Sequence, residues 1–219
     1  SCGNHAKTEE INNIKNRPDL SFHPRALISI PNFIPINLMN KLLIKVFNEL
    51  WYRKSAKKDN QKIIPIDNFF YPLDKVNNWN NMYGRNGFIQ YQIVVPEEHS
   101  SMIKEILEQL KQINALSFLP VLKKLGAPNK SYLSFPLAGW TLSIDLPANN
   151  KKIENLLTNI DKDIANIGGR LYLAKDSRQS SDIFKKTYKL LNTWVKQKQL
   201  LDPKNIFISD IAKRLKLSN

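Results

Sequence analysis

The chain has 219 residues, with 33 lysines and arginines against 19 acids and a formal net charge of +14. Its 42% apolar content is enough to bury one or two cores, and no apolar run reaches the roughly 18 residues that would cross a bilayer as a helix. The lone Cys2 excludes an intramolecular disulfide, and His5, His23 and His99 lack ligand-like spacing, so no metal is expected and a reducing, cytoplasmic setting fits. The sequence starts at Ser1 without an initiating Met and reads as a piece of something longer. Its basic excess favours an anionic partner, either a phosphate-bearing substrate or peripheral contact with an acidic inner membrane. The lysines are scattered rather than striped, so no nucleic-acid partner is expected.

In chain order, Leu38, Met39, Leu42, Leu43, Val46, Phe47, Leu50 and Trp51 repeat in pairs every four residues and predict a helix over 37–51. The basic, polar stretch 53–64 has no periodicity and reads as a mobile loop. Phe88 to Val95 is aromatic and β-branched and stops at Pro96, a strand. Met102, Ile103, Ile106, Leu107, Leu110 and Ile113 then share one helical face. A second strand is expected in the apolar run Leu116 to Leu122, before the turn residues Gly126-Ala127-Pro128-Asn129. A third strand spans Trp140 to Leu146. A helix follows, with Ile153, Leu156, Leu157, Ile160, Ile164 and Ile167 on one stripe and Asn149 or Asn150 as its cap. Gly168 and Gly169 lead into a fourth strand, Arg170 to Ala174, with Lys175 just past its end. Beyond Ser180 or Ser181, Phe184, Tyr188, Leu191, Trp194 and Val195 mark one long helix ended by Asp202-Pro203, and a short helix runs from about Ser209 to Leu217.

Strand, helix, strand, strand, helix, strand is the ferredoxin-like order, so the expected fold class is α+β. It would be an antiparallel sheet with both helices on one face, plus N-terminal and C-terminal helices. The other face must meet solvent, another domain or a ligand. Taken alone, Lys175 reads as a solvated loop lysine, Gln90 and Gln92 as ordinary strand residues sharing one face, and Trp51, Trp79, Trp140 and Trp194 as packing residues. Asp145 and Asp176 read as acids making local hydrogen bonds.

Several blocks, taken together, carry a resemblance. They are Glu49-Leu-Trp-Tyr-Arg-Lys54, Phe70-Tyr-Pro-Leu-Asp74, Trp79-Asn80, Tyr83-Gly84, Gly87 to Gln92, Leu133-Ser-Phe-Pro136, Gly139-Trp140, Gly168 to Arg178, Asp202-Pro203, Phe207, Ser209-Asp210 and Arg214-Leu215. In order and approximate spacing they resemble the decaprenylphosphoryl-β-D-ribose 2-oxidase family, within the vanillyl-alcohol-oxidase superfamily of FAD proteins. The resemblance implies a bacterial enzyme of cell-wall polysaccharide biosynthesis. Such an enzyme oxidises the 2-hydroxyl of a polyprenyl-phosphate-linked pentose by hydride transfer to FAD, and a partner reductase then reduces the keto sugar. With 7 glycines and no Gly-rich phosphate loop, this chain reads as a substrate-binding (cap) portion over 1–170 and a return segment towards the FAD domain over 171–219. FAD is expected in the full-length protein and not in this piece, which would be inactive alone.

Carried over position by position, the resemblance makes Lys175 the catalytic residue, stabilising developing negative charge or anchoring the substrate oxygen beside the flavin. Tyr172 would contact the isoalloxazine. Gln90 would meet a sugar hydroxyl and Lys123 the substrate phosphate. Thr141, Ser143, Phe70 and Leu125 would line the pocket. Ser143 stands where mycobacterial members have an active-site cysteine, Thr141 where they have an asparagine, Phe70 for a tyrosine and Leu125 for a phenylalanine. Two alternatives remain at this point: an aldonolactone or sugar-alcohol oxidase of the same superfamily acting on a small soluble sugar, and a non-enzymatic ferredoxin-like binding module.

Overall fold

The computed structural model describes residues 4–12, 28–31, 41–56, 63–115, 117 and 120–217. The elements in order are α1 (Thr8–Asn12), β1 (Ile28–Ser29), α2 (Lys41–Ala56), α3 (Ile66–Phe70), β2 (Val76–Asn77), β3 (Phe88–Pro96), α4 (Ser101–Gln112), β4 (Val121–Leu125), β5 (Gly139–Pro147), α5 (Lys151–Asn166), β6 (Arg170–Leu171), α6 (Ser181–Thr187), α7 (Leu191–Leu201) and α8 (Asp210–Arg214). Four strands form one antiparallel sheet in the order β4-β5-β3-β6. The first expected strand therefore sits between the third and the fourth, which is the ferredoxin-like arrangement anticipated from the element order. The short β1 and β2 pair separately and in parallel.

Alternation decides which face is dry. Tyr91, Ile93 and Val95 of β3 and Leu142, Ile144 and Leu146 of β5 lie under Ile103, Ile106 and Leu110 of α4 and Ile153, Leu157, Ile160 and Ile164 of α5, in one continuous core. Asn150 caps α5, its side-chain oxygen accepting from the backbone N–H groups of Lys152 (3.0 Å) and Ile153 (3.3 Å). Two glycines let backbones close up. A Cβ at Gly139 would collide with the Val95 carbonyl, and one at Gly169 would lie 2.5 Å from the Val94 oxygen and 2.8 Å from Ile164 Cγ2.

Several boundaries differ from the expectation. The second strand begins at Val121, because Pro120 has no N–H to give to a ladder; residues 116, 118 and 119 lie outside the described residues. As an edge strand, β4 carries exposed Lys123 and Lys124, side chains that discourage pairing with another chain. The fourth strand stops at Leu171. Tyr172 N–H still donates to the Gln92 carbonyl (2.9 Å), and then Leu173–Lys175 closes a 3₁₀ turn through Lys175 N–H to the Tyr172 carbonyl (3.1 Å). The long C-terminal helix is two helices, α6 and α7. They break at Tyr188, whose buried hydroxyl donates to the Leu171 carbonyl (2.7 Å) and holds the chain against the sheet. Ser180 and Ser209 cap α6 and α8.

Helix α2 continues to Ala56, into the stretch expected to be a loop, with Glu49 and Arg53 paired one turn apart at 2.7 Å. Residues 57–62 of that stretch, Cys2 and the 37–40 part of the expected helix lie outside the described residues, as does the side chain of Trp51. Trp79, Trp140 and Trp194 each pack against a buried cluster. Only Ile44 of the described α2 side chains is buried, in contact with a cluster of Tyr83, Trp79 and Phe88, while Leu42, Val46 and Leu50 are exposed. No helix among the described residues is long and apolar enough to cross a membrane.

Candidate functional site

The same alternation that buries Ile93 and Leu142 turns Gln90, Gln92 and Val94 of β3, Val121, Lys123 and Leu125 of β4, and Thr141, Ser143 and Asp145 of β5 to the face opposite α4 and α5. Register places Gln90 opposite Asp145, Gln92 opposite Ser143, and Lys123 and Val94 on either side of Thr141. The result is a polar strip across the middle of the sheet. At one end, Tyr83 stacks on Phe88 at 4.6 Å with Trp79 beside both. At the other, Val94, Phe135 and Leu137 form a small cluster, with Leu125 and Tyr172 packed on it and the Tyr172 ring 4.6 Å from Phe135.

Within the strip the side chains are linked. Gln92 Nε2 donates to Thr141 Oγ1 (3.0 Å), and that hydroxyl donates to the Ile93 carbonyl (2.7 Å). Gln90 Nε2 donates to Asp145 Oδ1 (3.1 Å). Lys175, reaching in from the 3₁₀ turn, donates from Nζ to Ser143 Oγ (2.9 Å). Burial raises the Asp145 carboxyl above the usual aspartate range, although the Gln90 hydrogen bond and the Lys175 charge both pull it down. Burial, and then the Asp145 charge, likewise push the Tyr83 hydroxyl up. The strip thus combines an ammonium donor, a carboxylate, hydroxyls and amides between two apolar ends. Such a surface can hold a polyhydroxylated molecule and move a proton from it.

The segment that carries Lys175 is anchored by charge. Asp176 Oδ1 accepts from the backbone N–H groups of Arg178 (3.0 Å) and Gln179 (2.9 Å), and Oδ2 from Gln179 Nε2 (3.0 Å) and Arg214 of α8 (2.8 Å). Burial would raise this carboxyl, but those backbone bonds and the Arg214 and Gln179 side chains outweigh it and hold it below the usual range. Arg178 reaches the other way, pairing with the buried Asp161 of α5 at 2.7 Å, and Asp161 also accepts from Tyr91 (2.7 Å). Burial raises the Asp161 carboxyl in spite of that arginine.

Of the residues singled out from the sequence, Lys175, Gln90, Lys123, Thr141, Ser143 and Leu125 share this one face, and Tyr172 borders it. Phe70 does not join them: it ends α3, is 62% exposed, and its described ring contacts are with Phe69 and Tyr71. Asp145 and Tyr83 also lie at this face; the sequence reads Asp145 as an acid making a local hydrogen bond, which it does with Gln90, and Tyr83 only as part of a resemblance block. The alternation Thr141, Ser143, Asp145 is the signal that could have found the aspartate. Among the described residues no group of three or more histidines, cysteines and acids could hold a metal ion.

The chain is 36% identical over 217 residues, 99% of its length, to the decaprenylphosphoryl-β-D-ribose oxidase of Mycolicibacterium smegmatis. It is a relative of that oxidase. The resemblance read from the sequence blocks is borne out. The chain spans only 47% of the oxidase's length, about half. It is also 31% identical over 131 residues, 60% of the chain and 36% of the relative, to an uncharacterized protein of Streptomyces coelicolor encoded in the mprA 5′ region. No family model matches the chain.

Proposed function

We propose that this chain supplies the substrate-facing sheet of an FAD-dependent oxidoreductase that oxidises a sugar hydroxyl, the 2-hydroxyl of a polyprenyl-phosphate-linked pentose. The observation that carries the reading is the meeting of Lys175, Ser143, Gln90 and Asp145 on the sheet face opposite α4 and α5, in a relative of a decaprenylphosphoryl-β-D-ribose oxidase.

The residues present fit one end of the cofactor. Tyr172 is half-buried, its ring braced by Phe135 beside the strip, and would border the isoalloxazine together with Lys175. They do not offer a pyrophosphate cradle: Gly139 and Gly169 are closed by neighbouring backbone, and no Gly-rich run occurs. Phosphate-binding loops would come from the part of such an enzyme that this chain does not cover. A flavin bound there would supply the hydride-accepting chemistry.

The chain's own side chains do the rest. Gln90 and Gln92 present amide groups that orient sugar hydroxyls. Lys175 Nζ, already a donor to Ser143 Oγ, is aimed where negative charge grows on the reacting oxygen. The exposed Lys123, at the sheet edge opposite Thr141, meets the substrate phosphate as a point charge.

The test is the visible spectrum of the full-length protein before and after anaerobic addition of a polyprenyl-phosphoryl pentose. Bleaching of the flavin band is the expected result. A purified full-length protein without flavin ends the reading, and bleaching by soluble sugars or lactones alone replaces the substrate class.

A further inference from the structure

Three carboxylates lie on or behind the strip, and two are fully engaged. Asp161 accepts from Tyr91 at Oδ1 and from Arg178 at Oδ2, and Asp176 has both oxygens occupied by backbone and arginine donors. Asp145 differs. It is the only acid among the described strand residues of the face opposite α4 and α5, half-buried, and only its Oδ1 accepts a described hydrogen bond, from Gln90. Two residues away on the same face, Ser143 holds the Lys175 ammonium.

Resting on the function just given, we propose that Asp145 is the group that receives the proton of the sugar hydroxyl while Lys175 steadies the same oxygen. As the carbon-bound hydrogen leaves with its electron pair for the oxidised flavin, the O–H bond breaks. Its electron pair becomes the second C–O bond of the ketone, and the proton passes to Asp145 Oδ2. The Gln90 amide engages Oδ1 and leaves Oδ2 without a described hydrogen bond, so the second oxygen is the one open to a substrate proton. The groups that face Asp145 are Gln90 from β3, Lys175 from the turn after β6 and Tyr83 from the 3₁₀ segment Trp79–Asn86. Its backbone N–H is held by Ser117 Oγ (3.3 Å). Burial makes this carboxylate a better base than a solvated aspartate.

The experiment uses the full-length flavoprotein, the sugar that bleaches it, and the isosteric variant Asp145→Asn. Anaerobic single-turnover reduction should slow by roughly 10²–10⁴-fold. The wild-type rate should rise with pH through an acid limb that the variant lacks. Asp145→Glu, which keeps a carboxylate, should recover at least about a tenth of the rate. A second readout needs no turnover: the infrared difference between wild type and Asp145→Asn in the oxidised, sugar-free protein. It should contain a carboxylic-acid C=O band that persists to higher pH than that of an ordinary aspartate. If the wild type bleaches and Asp145→Asn bleaches within about threefold of it with the same pH profile, the assignment to Asp145 is overturned alone. If no sugar bleaches the wild type, the assignment falls together with the function it rests on.

Discussion

The two faces of the four-stranded sheet are made of alternate residues of the same strands and could hardly differ more. Under α4 and α5, Ile93, Leu146, Leu157 and Ile164 are wholly removed from solvent. On the reverse, Gln90 and Lys123 are exposed and Asp145 is half-buried, with Gln90 donating a single hydrogen bond to Asp145. The dry face carries folding free energy because every side chain there loses apolar surface to a neighbour. The reverse face buries Thr141 and Ser143 with hydrogen-bond partners but leaves Gln90, Lys123 and Asp145 partly or fully exposed. A residue's parity along β3 or β5 therefore predicts whether its loss is felt as instability or as lost chemistry.

The widest separation should come from Lys175→Met. Removing the ammonium is expected to slow flavin reduction in the full-length protein by about 10²–10³-fold, roughly 3–4 kcal/mol, with the melting temperature nearly unchanged. A variant that unfolds instead would make Lys175 a structural residue and blur the contrast. From the dry side, Leu157→Ala should cost about 3 kcal/mol in a denaturant titration and leave the activity per folded molecule alone. Equal loss of specific activity would show that the two faces are not separable.

Arg214→Ala should fall between them. It removes the α8 arginine from Asp176, so the Lys175 turn loosens, and a reduction rate lower by about tenfold is expected, recovered in part by Arg214→Lys. Its pH dependence gives a second handle. With Arg214 present the folded-state Asp176 carboxyl lies below its unfolded value, so its contribution to stability is complete above the unfolded range and is lost as pH falls through the lower folded value. Acid unfolding of Arg214→Ala should accordingly set in at higher pH than that of the wild type.

The smallest effect has the opposite sign. Because Asp145 is raised in the folded state, its contribution is fully present below the unfolded aspartate range and is lost as pH rises through the folded value. Asp145→Asn should melt higher than the wild type at pH 7, because the variant no longer has to keep a half-buried carboxylate ionised. The difference should shrink towards pH 3. A neutral or negative shift at pH 7 would mean that the Gln90 bond and the Lys175 charge already compensate the carboxylate.

The helix stripes, the strand alternation and the order of elements were legible because burial periodicity writes them directly into the sequence. Boundaries were less so. The break at Tyr188 comes from a tertiary bond to the Leu171 carbonyl, which no local pattern in 181–201 announces. The early end of β6 is also tertiary: Leu173 packs with Phe184 and Tyr188, which draws the chain into a turn instead of a fifth strand residue. The shared face of Gln90, Thr141, Ser143 and Lys175 came from alternation together with family resemblance. Asp145 was underread because its significance lies across the sheet, in Gln90 and Lys175, and sequence spacing says nothing about cross-strand register. Phe70 shows the converse: a family position transferred by sequence whose described contacts stay within its own short helix and the residue beside it.

The register of β5 has one more consequence, for how such a site can vary over time. Thr141, Ser143 and Asp145 interleave with Leu142, Ile144 and Leu146, so one inserted or deleted residue within that strand would exchange the two sets. Three apolar side chains would enter the strip and three polar ones would be driven beneath the helices. Substitutions at these positions can therefore change the side chains that the strip presents, whereas changes of length have to be absorbed in the connecting loops.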